Sequence, residues 1–150
     1  MFDRIMVPTD GSENAKQAAK VAIEIAKKED ATLIVTHVIP LWSPLGTKPS
    51  FTLPEEIVKE AEKIVNEIAE MAKEEGIDNV ETLVVESPSV VQGIVEEAKE
   101  RDVDLIVMGT RGLSGVKGLI LGSTTKGVLS RSPCPVLAIP LEGEGEHEEG

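Results

Sequence analysis

The sequence predicts an α/β domain: a doubly wound sheet of five parallel strands with helices on both faces. Two observations predict it. Five short apolar runs alternate with four segments whose apolar residues recur every three or four positions. The fourth run, Leu105-Ile106-Val107-Met108, is apolar at every position, as a central parallel strand covered on both faces should be.

The elements follow in order. Ile5-Met6-Val7 is a buried strand ended by Pro8. Ser12 caps a helix whose apolar face is Ala15, Ala18, Ala19, Ala22, Ile25 and Ala26. Leu33 to Ile39 is the second strand, and three prolines make residues 40–53 a long loop. Pro54, at the first helical position, opens a helix with Glu55 and Glu56 near the positive end of its dipole. Its stripe is Ile57, Val58, Ala61, Ile64, Val65, Ile68, Met71 and Ala72, and Gly76 stops it. Val80 to Val85 is the third strand. Ser87-Pro88 starts the third helix, with Val90, Val91, Ile94, Val95 and Ala98 on one face. After the fourth strand comes a glycine-rich loop, then a short helix over 123–129, then a last strand, Pro135 to Ile139.

Composition bounds the function. The chain has 150 residues, enough for one core without disulfides or metals, with 41% apolar and 28% charged residues. Its net charge of −12 excludes binding nucleic acid or an anionic membrane through a basic face. Aromatics are 2%, which argues against base-stacking platforms. The lone Cys134 reads as a small buried residue, and no His/Cys cluster suggests zinc. With no signal-peptide pattern at Met1 and no apolar run of membrane length, the expected location is the cytoplasm.

The charge is unevenly spread. Residues 1–104 carry a net of −11, residues 105–141 hold four basic residues and no acid, and residues 142–150 add five Glu. A domain over 1–141 followed by an acidic, disordered tail is therefore expected. The acid-free stretch suits an anion.

Two strands end in loops of unusual composition: Pro8-Thr9-Asp10-Gly11-Ser12 and Gly109-Thr110-Arg111-Gly112, the latter followed by glycines at 115, 118 and 122. Ligands of doubly wound sheets sit beyond the carboxyl ends of strands where the strand order reverses. A backbone that wraps a phosphate needs N–H groups close by and no Cβ in the way. Gly122-Ser123 begins a helix whose free N–H groups favour an anion, Ser123, Thr124 and Thr125 add hydroxyls, and Arg111 and Lys117 supply charge. The ligand class is a phosphate-bearing small molecule. GxxxxGK[ST] is absent, and so is GxGxxG after the first strand, which disfavours a P-loop NTPase and a Rossmann dehydrogenase. Asp10 reads as a ligand residue or as a turn former. His37, inside an apolar strand, reads as a core histidine.

The spacing Gly109-x2-Gly112-x9-Gly122-Ser123 resembles the ATP-binding signature of the universal stress protein family. The start Ile5 to Ser12, the His37-Val38 strand end, Val107-Met108-Gly109 and Ser132-Pro133-Cys134-Pro135-Val136-Leu137 extend the likeness over residues 2–140. The resemblance implies strand order 3-2-1-4-5, which puts strands one and four at the reversal, and it implies ATP or a related adenine nucleotide with Mg²⁺ or Mn²⁺. Pro8, Thr9 and Asp10 would line the adenosine, with Asp10 near the ribose or the metal-bound phosphates. Val38 would pack on adenine, and Met108 and Gly109 would flank the nucleoside. Gly112, Gly122, Ser123 and Thr124 would hold the phosphates. All three motif glycines are present, as in the family's ATP-binding branch.

The apolar strand 136–139 reads as an edge that pairs with a copy of itself, giving a homodimer. The expected function is an ATP-binding regulatory protein of the stress response. The alternatives are a slow Mg²⁺-dependent ATPase and a structural dimer with an empty crevice. A phospho-receiver domain is disfavoured, since only Asp10 ends the first strand and 136–139 contain no Lys.

Overall fold

The computed structural model describes residues 1–41, 53–111 and 121–141. Nine elements alternate along them: β1 (Arg4–Pro8), α1 (Glu13–Glu29), β2 (Thr32–Pro40), α2 (Glu55–Glu74), β3 (Val80–Ser87), α3 (Val90–Glu100), β4 (Leu105–Gly109), α4 (Ser123–Arg131) and β5 (Val136–Ile139). The strands form one sheet, all neighbours parallel as the alternation predicts, in the order β3-β2-β1-β4-β5 that the family resemblance implies.

Period-two alternation divides the strand residues between two cores. Ile5, Val7, Leu33, Val35, Leu105 and Val107 meet α1 and α2 through Ala18, Ala22, Val65 and Ile68. Met6, Ile34, Val38, Ile106 and Met108 meet α3 and α4 through Ile94, Ala98 and Val128. Each fully buried branched side chain contributes about 1.5–3 kcal/mol, so the two cores together hold the sheet firmly. The alanine face of α1 lets that helix lie close on the sheet.

Several boundaries differ from the sequence reading. Pro54 is the N-cap of α2 and not its first helical residue, with ψ at 142°. β3 continues through Ser87, and α3 is capped by Ser89, whose Oγ accepts from the Gln92 N–H. Ser87 pairs with Pro40 in the sheet, so a helix cannot begin there. On α1, Ile23 is fully buried, whereas Ile25 is partly buried at the edge of the core. On α2, Ile57 is 44% exposed and stands outside the core. α4 runs two residues beyond Leu129. The tail over 142–150 lies outside the described residues.

Candidate functional site

The strand order reverses at β1 and β4: the chain leaves β1 toward β2 on one side, and β4 lies on the other. Their carboxyl-end loops open there into a cleft of about 710 Å³. Pro8, Thr9, Asp10, Val38, Met108, Gly109, Arg111, Gly122, Ser123 and Thr124 all line it. Gly112, with Gly115, Lys117 and Gly118, lies outside the described residues.

The β1 side is a tight turn. The Thr9 N–H donates to the Thr36 carbonyl at 2.8 Å, extending the ladder by one bond. Gly11 has φ of +82°, which few side chains tolerate, and its N–H donates to Thr9 Oγ1. Asp10 Oδ1 accepts from the Ser12 N–H at 2.9 Å. The turn-forming reading of Asp10 is therefore correct for one carboxylate oxygen. His37 is not the core residue the sequence suggests. It is half-buried, lines the cleft, and brings Nδ1 within 2.7 Å of the Thr9 carbonyl. A carbonyl only accepts, so Nδ1 carries the proton and fixes the tautomer.

The β4 side is held from beneath. Thr125 Oγ1 donates to the Gly109 carbonyl at 2.8 Å, and the Gly122 N–H donates to the Thr110 carbonyl at 2.8 Å. Gly122 is the N-cap of α4 and offers no side-chain bond to the helix N–H groups behind it. Among the described residues a Cβ there would come no closer than 3.4 Å to any atom, and φ is −66°. Neither the backbone nor packing against the described residues requires glycine at this cap, where Ser, Thr, Asp or Asn would add stability. The helix end is left open toward the cleft.

Three features escaped the sequence reading. Glu56 and Glu60, one turn apart on α2, reach the cleft wall with Ile57, Ala61 and Ile64. The loop bearing the motif carries no acid, but the cleft does. Thr36 also lines it, 1% exposed, and its Oγ1 has no partner among the described residues. Asn14 lies beneath the β4 loop, 2% exposed, with both ends of its amide bonded. No local spacing marks Asn14, Thr36 or Glu60; Glu56 reads only as a carboxylate near the positive end of the α2 dipole. Cys134 is half-buried, and burial pushes its thiol up, away from thiolate chemistry. Among the described residues no three His, Cys, Asp or Glu side chains cluster to hold a metal on their own.

The fold and cleft define a doubly wound α/β protein with an open cleft where the strand order reverses. The chain belongs to the universal stress protein family, whose model matches residues 1–140. Universal stress protein MJ0531 of Methanocaldococcus jannaschii is 36% identical over 143 residues, covering 93% of this chain and 82% of that protein. A universal stress protein solved in complex with cAMP is 30% identical with a TM-score of 0.69, over 92% of this chain and 96% of that one. A universal stress protein from Archaeoglobus fulgidus is 25% identical with a TM-score of 0.73, over 93% of this chain and 94% of that one.

Proposed function

We propose that the switch-point cleft binds an adenine nucleotide, foremost ATP, and that the protein is a nucleotide-responsive regulatory module. The observation that carries this reading is the open start of α4 at Gly122, aimed into a cleft whose remaining wall is largely apolar. Helix N–H groups and the dipole favour phosphate at that end. Ser123 and Thr124 add hydroxyl donors, Arg111 adds charge, and Gly112 completes the phosphate loop. Val38, Ile39 and Met108 offer an apolar bed for the base, with Pro8 and Thr9 beside the sugar and Gly109 under it. Asp10 keeps one oxygen for the turn and has the other for a ribose hydroxyl or for Mg²⁺ or Mn²⁺ carried by the phosphates. The cAMP complex of a 30% identical relative supports the adenine nucleotide class.

The protein acts as a homodimer through β5. That strand is an edge of the sheet, and Leu137 on it is 39% exposed. An apolar edge with free backbone groups invites a second copy. A chain with a single cysteine suits the reducing cytoplasm.

Nucleotide released from the purified protein by denaturation is identified by mass spectrometry, and the emptied protein is titrated with ATP, AMP, cAMP and GTP. Saturable binding of ATP, tighter than GTP and strengthened by Mg²⁺, is expected. Absence of binding to every adenine nucleotide overturns the reading. Leu137→Glu is expected to shift a sedimenting dimer to monomer, and a parent that is monomeric at high micromolar concentration removes the dimer.

A further inference from the structure

We infer that Gly109, the first glycine of the three-glycine motif, is a socket for the Asn14 amide and not a phosphate-cradling glycine, and that Asn14 is the residue that positions the backbone at Thr110 and Arg111, where the chain leaves β4 toward the phosphate loop. The inference deepens the nucleotide reading of the cleft and, for the loop's role in binding, rests on it.

A Cβ on Gly109 would meet the Asn14 side chain at 2.5 Å from Oδ1, 2.6 Å from Cγ and 2.9 Å from Nδ2. Such distances force something to move. The end of a side chain usually moves cheaply, but Asn14 cannot. Its Oδ1 accepts from the Arg111 N–H at 2.8 Å, and its Nδ2 donates to the Ile139 carbonyl at 2.9 Å. The residue is 2% exposed, so a displaced amide would leave buried donors and acceptors unmet. Gly109 itself has no positive φ that would demand glycine. The Asn14 amide is a sufficient reason for the missing side chain at 109.

What Asn14 holds is the chain just past β4. The Arg111 N–H is fixed by Oδ1, the Thr110 N–H by the Ile139 carbonyl, and the Thr110 carbonyl by the Gly122 N–H. One amide in the first turn of α1 therefore joins the end of β5, the exit of β4 and, through Thr110, the start of α4. Arg111 and Gly122 are the two sides of the proposed phosphate position. Gly122 differs from Gly109, since among the described residues a Cβ there meets nothing closer than 3.4 Å. The two motif glycines serve different purposes: one admits a protein side chain, the other leaves room for ligand.

The test is a double-mutant cycle of Asn14→Ala and Gly109→Ala, read by melting temperature and by ATP and adenosine affinity. Gly109→Ala in the parent is expected to lower the melting temperature by several degrees, and in the Asn14→Ala background to lower it far less. Asn14→Ala is expected to weaken ATP about three- to tenfold while changing adenosine less than about twofold, because one neutral hydrogen bond to the phosphate loop is lost. Gly109→Ala costing the same with and without the Asn14 side chain overturns the socket. Equal losses for ATP and adenosine in Asn14→Ala overturn its positioning role. A parent that binds no nucleotide defeats the reading of the cleft, and then the positioning role with it, while the melting cycle still decides the socket.

Discussion

The two ends of the same sheet are built to opposite rules. At the amino ends of the strands the polar groups are matched. Asp104 Oδ2 accepts from the Asp3 and Arg4 N–H groups at 2.9 Å each, and Arg4 Nε donates to the Arg101 carbonyl at 2.6 Å. Arg101 pairs with Glu97 at 2.9 Å, and both arginines approach Glu81. At the carboxyl ends, the α4 cap lacks a side-chain bond, and Thr36 and Ser87 bury hydroxyls without partners among the described residues. A sealed end stabilises the fold, while an end with unmet donors is a place for something else to meet them. Ser12 and Ser89 cap α1 and α3 at this same end, so the bare α4 cap and the two hydroxyls stand out within it.

The contrast can be broken in several ways. Gly122→Val should have the largest effect: ATP affinity falls at least about tenfold as the methyls cover the α4 N-terminus, while the melting temperature changes little. Unchanged ATP titration in that variant would remove the phosphate from this end. Asp104→Ala at the sealed end should do the reverse. It is expected to cost about 1–2 kcal/mol in urea unfolding through two lost charge-assisted bonds, with ATP affinity unaltered. Thr36→Val swaps a buried hydroxyl that has no partner among the described residues for a methyl of the same shape. The nucleotide-free protein should gain up to about 1 kcal/mol, and a loss instead would mean the hydroxyl is satisfied. Glu81→Gln should be smallest, within about 0.5 kcal/mol and insensitive to added salt, because its ion pairs are 3.8 and 3.9 Å long and well exposed. A larger effect would show that the sealed end works as a charge network.

Much of this was legible in the sequence. Ile5 to Val7 and Leu105 to Met108 declare buried strands by apolar content alone, and Ser12 and Gly76 mark helix ends by their backbone chemistry. The parallel sheet follows from alternation. The two loops at its carboxyl ends follow from where glycines fall relative to strand ends, and the cleft they line lies where that reading puts it. The errors share a cause. Ser87-Pro88 looks like a helix start, but pairing with Pro40 keeps Ser87 in the sheet. His37 sits in an apolar run, but its strand ends at the cleft, and the carbonyl of Thr9 in the neighbouring loop orders the ring. Glu56 reads only as a helix-dipole carboxylate and Glu60 not at all, because nothing in a helical period tells which carboxylates overhang a cleft on another layer.

The sequence by itself determined the alternating elements, the doubly wound class and the positions of the motif glycines, because periodicity, capping and glycine placement act over a few residues. Only the tertiary structure decided what those glycines are for. Asn14 meets Arg111 and Ile139 across 97 and 125 residues of chain. No spacing encodes such contacts, and they separate the glycine that seats a side chain from the glycine that leaves the helix end open.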